Sequence, residues 1–218
     1  MAVAKNKITT FGVTGSTNTW PMSIAHGAIT GSYADSLHVG HGFVRAADGT
    51  ITTFDPSDSV GTEATSINDH GATAGFYVGS IANKGANINP GDAVVVHHRK
   101  IYVESHGFVR EADGTIVTFD PSGSVSTTAW AINDMGAVTG DYLDSSDVRH
   151  GYVRAADGIF TSFDPSGSTS TSAQAINGSG AITGWYVDNK GIQHGYARTA
   201  DGAITILDPS GSTSTTPY

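Results

Sequence analysis

The chain repeats itself with a period of 44 residues, and no other feature restricts its fold as much. His-Gly-aromatic-x-Arg occurs at His106–Arg110, His150–Arg154 and His194–Arg198, each copy 44 residues after the last. That spacing is the length of one four-stranded propeller blade. A fourth copy, His41–Arg45, lies 65 residues before His106, one period plus an insertion. Residues that recur in every copy hold a repeated fold together, so function is expected where the copies disagree.

Each copy reads as four strands. Strand A ends in Ile-Asn, as at Ile67-Asn68, Ile132-Asn133 and Ile176-Asn177, and reads as short, following a Ser/Gly/Thr-rich loop such as Ser122–Ser126. A glycine turn leads into strand B, Gly-Ala-x-x-Gly-x-Tyr, at Gly27–Tyr33, Gly71–Tyr77, Gly136–Tyr142 and Gly180–Tyr186. Its small residues allow close backbone approach. Strand C is the His-Gly-aromatic-x-Arg segment, with the two-residue alternation of a strand. An Asp-Gly turn then opens strand D, at Ile51–Phe54, Ile116–Phe119, Phe160–Phe163 and Ile204–Leu207, each stopped by Asp-Pro, because proline cannot donate to a sheet ladder.

The expected fold is therefore all-β. It is a β-propeller of four full blades, at about 20–54, 64–119 with an insertion at 79–105, 129–163 and 173–207, in one domain over 1–218. Ile8–Phe11 looks like a surplus D strand, available to close the ring, to pair with another subunit in a homo-oligomer, or to join the insertion in a fifth blade. A β-solenoid is the other architecture considered; its rungs are usually shorter and need no Asp-Gly hairpin in every unit.

A net charge of −9 with 11 Lys and Arg argues against nucleic acid, which needs a basic stripe. No run is apolar for long enough to span a bilayer, so membrane insertion is not expected. The sequence has no cysteine, which excludes disulfides and thiolate chemistry.

The pattern Ile-Asn-x-x-Gly-x-x-x-Gly-x-Tyr, then His-Gly-Phe/Tyr, then Asp-Gly, resembles the HAF-type repeats of bacterial extracellular proteins, with His-Gly here in place of His-Ala. The resemblance runs from Trp20 to Asp208 and implies a propeller-like protein outside the cytoplasm, extracellular or periplasmic. Met1–Lys7 has no apolar signal core, so export implies a leader absent from this sequence. The family supplies no catalytic residues.

The recurring His41, His106, His150 and His194, with Arg45, Arg110, Arg154 and Arg198, are expected to be structural. Each His would bond a neighbouring backbone carbonyl, and the Asp-Pro aspartates would cap their own turns. The columns that disagree are the residue before the strand B Tyr (Ser32, Phe76, Asp141, Trp185) and one strand A position, read as Trp20, Thr65, Trp130 and Gln174. Both fall on the rim carrying the B–C and D–A loops. There Trp20, Phe76, Trp130, Asp141, Gln174 and Trp185 either stack and hydrogen-bond a sugar or pack as wedges between blades.

The insertion reaches the same rim and holds His97, His98, Arg99 and Tyr102, residue types that suit β-elimination on a uronate. Glycan binding is the first expectation, a polysaccharide lyase the second, and a structural or protein-interaction module the third. No cofactor is expected. Calcium is a weak alternative at Asp55–Ser59 and Asp144–Asp147, where neither stretch has the register of a known calcium loop and hydrated turns suit both better.

Overall fold

The computed structural model describes residues 10–79, 104–208 and 214–215. Among these, all regular structure is β. The first unit is β1 (Asn18–Ala25), β2 (Ala28–Ala34), β3 (Gly40–Arg45) and β4 (Ile51–Phe54). The second is β5 (Ser59–Ile67), β6 (Thr73–Gly79), β7 (Ser105–Arg110) and β8 (Ile116–Phe119). The third is β9 (Ser124–Ile132), β10 (Val138–Asp144), β11 (Arg149–Arg154) and β12 (Phe160–Phe163), and the fourth is β13 (Ser168–Ile176), β14 (Ile182–Asp188), β15 (Gln193–Arg198) and β16 (Ile204–Ile206). Each unit is an antiparallel meander in sequence order; a single parallel bridge, Arg149 to Ser170, joins the last two.

Strand A is the longest strand of its unit, not the short one expected. The Ser/Thr run read as a loop is its first half, since Ser126, Thr127 and Thr128 pair with Leu143, Tyr142 and Asp141. Small polar residues suit this half because it is covered by neighbours that accept hydrogen bonds: Thr127 is fully buried and donates to Asp120 at 2.6 Å.

Strand B carries its glycine because strand A bulges over it. A Cβ at Gly75, Gly140 or Gly184 would collide with the carbonyl oxygen of Glu63, Thr128 or Ser172. Tyr152 and Tyr196, both fully buried, lie over Gly140 and Gly184 and donate their hydroxyls to those same strand A carbonyls, Thr128 and Ser172, at 3.2 and 3.1 Å.

Successive units stack with their A strands side by side, β1 on β5, β5 on β9 and β9 on β13. The joint is repeated in detail. The strand C arginine lies over the strand D phenylalanine of the preceding unit, Arg110 over Phe54 at 5.1 Å, Arg154 over Phe119 at 4.9 Å and Arg198 over Phe163 at 4.7 Å. The strand C aromatic meets the same phenylalanine edge-on, as for Phe108, Tyr152 and Tyr196. In the first unit Phe11 takes that seat, 5.2 Å from Arg45 and edge-on to Phe43. Residues 10–12 nevertheless form no strand; Ile8 and Thr9 of the expected surplus strand lie outside the described residues.

Among the described residues, no such joint links the fourth unit to the first. Ile67 and Ile132 are covered by the unit before them, at 5% and 6% exposure, whereas the matching Ile24 of β1 is 67% exposed.

Candidate functional site

Near its C-terminal end each strand A has an extra residue opposite strand B, between Ala64 and Ser66, Ala129 and Ala131, and Ala173 and Ala175; β5, β9 and β13 have a second near their start, at Val60, Val125 and Thr169. Such a bulge leaves its residue unpaired, shifts the ladder beyond it by one position and re-aims a side chain. Thr65, Trp130 and Gln174 are the residues of the C-terminal bulge. In β1 the bulge lies between Pro21 and Ser23, so its residue is Met22.

Trp20 therefore stands elsewhere than in the bulge column assigned to it from sequence. It pairs with Ser32, in the column of Glu63, Thr128 and Ser172. The cause is the first hairpin, which turns on His26 and Gly27, both at positive φ, and is one residue shorter than the Asn68–Ala72 turn.

Asp141 is the hub of the columns that disagree. Its carboxylate is 1% exposed and takes donors from three side chains. Trp130 Nε1 donates to Oδ2 at 2.7 Å, Ser172 Oγ donates to the same oxygen at 2.5 Å, and an Arg149 guanidinium nitrogen makes a short bond to Oδ1. Gln174 Nε2 donates to Ser172 Oγ at 2.5 Å, and Phe76 meets the Trp130 ring edge-on at 5.9 Å. Phe76, Trp130, Asp141 and Gln174 thus form one connected group across the second, third and fourth units.

Arg149 and Ser172 belong to this group and were not singled out from sequence. Arg149 had a signal, because the residue before the strand C histidine reads Gly40, Ser105, Arg149 and Gln193, another column that disagrees. Its side chain is about one-third exposed, at 34%, so the buried carboxylate is balanced by a cation that still reaches water. Trp130 and Gln174 are half-buried beside it. Trp130, Gln174 and Arg149 each keep part of their surface in water, and an indole, an amide and a guanidinium are groups that can stack on an apolar ring and donate to hydroxyls. Glu63, across the ladder from Phe76, has its carboxyl pushed up by burial.

Trp185 and Trp20 are not joined to this group by any hydrogen bond or ring contact among the described residues. Trp185 lies opposite Ser172 on β14, in the column whose other members face the next unit. His97, His98, Arg99 and Tyr102 lie outside the described residues.

The recurring histidines make one contact per unit, but with a carboxylate and not the expected backbone carbonyl. Nδ1 of His41, His106 and His150 lies 2.7 Å from Asp55, Asp120 and Asp164, and that of His194 lies 2.5 Å from Asp208. The Asp-Pro aspartates are therefore histidine partners; Asp55 and Asp120 also accept from Thr62 and Thr127 of the next unit, each at 2.6 Å. A second carboxylate, Asp35, Asp144 or Asp188, stands near Nε2 of three of these rings. For His194 the hydrogen bond to Asp208 raises the pKa; for His150 burial opposes protonation, and the carboxylates Asp164 and Asp144 outweigh it. No group of three or more potential metal ligands occurs among the described residues. Of the stretches weighed for calcium, Asp144 spends its carboxylate on the backbone of Ser146 and Val148 in its own turn.

No family model matches the sequence, and no curated protein is similar to it. The structure is similar to the crystal structure of TolB from Acinetobacter baumannii, a β-propeller, with a TM-score of 0.56 and 11% identity. The fold is propeller-like. The likeness covers 90% of this chain and 45% of the TolB chain, so this chain spans less than half the length of its neighbour.

Proposed function

We propose that the chain is an arc of four propeller blades that binds glycan through the group around Asp141. The observation that carries this is the convergence of non-repeating side chains from three consecutive units on one buried carboxylate, which fixes Trp130 by its indole N–H and leaves part of the ring accessible. Elsewhere the same columns hold residues that only stitch units together, such as Ser32 accepting from Ala64 N at 3.1 Å. A rigidly held aromatic face flanked by Gln174 and Arg149 matches the two chemistries of a sugar ring, its C–H face and its hydroxyls. Such a module needs no general base, and an extracellular setting, as the HAF-type resemblance implies, would place it among polysaccharides.

Titration of neutral and acidic polysaccharides, followed by tryptophan fluorescence and calorimetry, tests the reading. At least one is expected to bind, with Trp130→Ala weakening it about 10-fold or more, as loss of an aromatic anchor does. Trp20→Ala leaves binding unchanged. Absence of binding across the panel, or equal loss in both variants, would overturn it.

A further inference from the structure

The three joints inside the chain are built from two different halves. The preceding unit supplies its strand B column and an asparagine side chain: Phe76 meets Trp130, Asp141 meets Ser172, and Asn68 and Asn133 donate Nδ2 to the carbonyls of Asn133 and Asn177, each at 3.0 Å. The following unit supplies its strand A, whose Ile67 and Ile132 amides donate to Ser23 and Ser66. One half of each kind is left over. The first unit presents strand A uncovered, with Trp20 at 49%, Met22 at 57% and Ile24 at 67% exposure. The fourth presents Trp185 and an exposed Asn177, where the equivalent Asn68 and Asn133 are buried.

Terminal units of a repeat array stay soluble by turning polar outward. The first unit does the reverse, and the fourth adds a half-buried Trp185 and an exposed Leu207 beside its asparagine. Trp20 replaces Glu63, Thr128 and Ser172; Met22 replaces Thr65, Trp130 and Gln174; Trp185 replaces Ser32, Phe76 and Asp141. Among the described residues the sheets do not close, and no hydrogen bond or ring contact joins the fourth unit to the first. The two uncovered halves are thus complementary in kind.

We infer that a second copy of this chain docks head to tail on these ends, with Trp185 of one copy against Trp20 and Met22 of the other and Asn177 Nδ2 donating to the Ala25 carbonyl. Each copy carries both halves, and a closed ring of two copies is the smallest assembly that leaves neither half uncovered. The seat on Arg45 that an incoming strand D needs is held by Phe11, within residues 10–12, which form no strand. Phe11 gives way to Leu207, the strand D residue at the matching position of the last unit, now 43% exposed.

Light scattering coupled to size exclusion, at micromolar concentration, is expected to give twice the chain mass. Met22→Asp and Trp185→Asp are each expected to raise the dissociation constant about 100-fold, as for central apolar anchors, with the circular dichroism spectrum unchanged. The chain has no cysteine, so pairing can be read directly from introduced ones. Ala25→Cys and Asn177→Cys proteins should cross-link when mixed under mild oxidation, and neither should cross-link alone. A single-chain mass at every concentration overturns the inference. So do cross-links formed by either variant alone, which would mean a symmetric joint.

Discussion

Replacing Asp141 by alanine should destabilise the protein by about 3 kcal/mol, because the carboxylate is buried and collects three donors. Arg149 is one-third exposed and can rehydrate, so the lost ion pair contributes only a minor share. The larger share comes from the Trp130 N–H and the Ser172 hydroxyl, left without their acceptor at about 1–2 kcal/mol each. Asp141→Asn keeps one acceptor oxygen and should cost roughly half as much. The assay is urea unfolding followed by tryptophan fluorescence, with thermal melts alongside; at about 2–4 °C per kcal/mol for a domain of this size, the alanine variant should melt about 6–12 °C lower. The chain supplies its own control: Ser32 holds the same column in the first unit and accepts a single amide, so Ser32→Ala should cost about 1 kcal/mol. Pairing Trp130→Phe with Asp141→Asn should reveal a coupling of about 1 kcal/mol. A loss below about 1 kcal/mol for Asp141→Ala would refute the hub, since it would mean that the donors find water instead.

Other outcomes follow from the same geometry. Gly140→Ala and Gly184→Ala should each cost about 3 kcal/mol or more in denaturant melts, since the methyl group meets a fixed carbonyl, whereas Gly61→Ala, with open space around it, should change stability by less than about 0.5 kcal/mol. His150 and His194 have raised pKa values, so their contribution to stability is fully present below about pH 6.5 and is lost as pH rises through the folded values. Asp35, Asp144, Asp188 and Asp208 have lowered values, held down chiefly by backbone amides for the first three and by His194 for the last. Their contribution is present above about pH 4 and lost as pH falls through the folded values. The melting temperature should therefore be highest between these limits, and a melting temperature that rises from pH 6 to pH 8 would contradict the histidine pairs. Asn133→Ala removes a bond to the next unit and two within its own turn and should cost about 2 kcal/mol in the same melts.

The period, the Asp-Gly turns and strands B, C and D were legible because each is dictated locally, by a glycine at positive φ or a proline that ends a ladder. Strand A was half legible: Ile-Asn marks its end, but a run such as Ser124–Thr127 looks like a loop until the neighbouring strand and the Asp120 carboxylate are in place. The histidine partner was available and overlooked, since an aspartate stands 14 residues after the histidine in every unit. Convergence of Phe76, Trp130, Asp141 and Gln174 could be anticipated from columns that disagree. Trp20 could not be placed by counting back from Gly27, because the first hairpin is short; counting forward from Phe11, by analogy with Phe54, gives its true register.

The unpaired slot near the end of every strand A separates what a unit carries from how it stands. Methionine, threonine, tryptophan and glutamine all occupy it, and the one-residue shift of the ladder across it is the same in every unit. A lineage duplicating such modules can therefore change the side chain each unit displays one insert at a time, and exchanging whole modules within the array should move that side chain without refitting the framework.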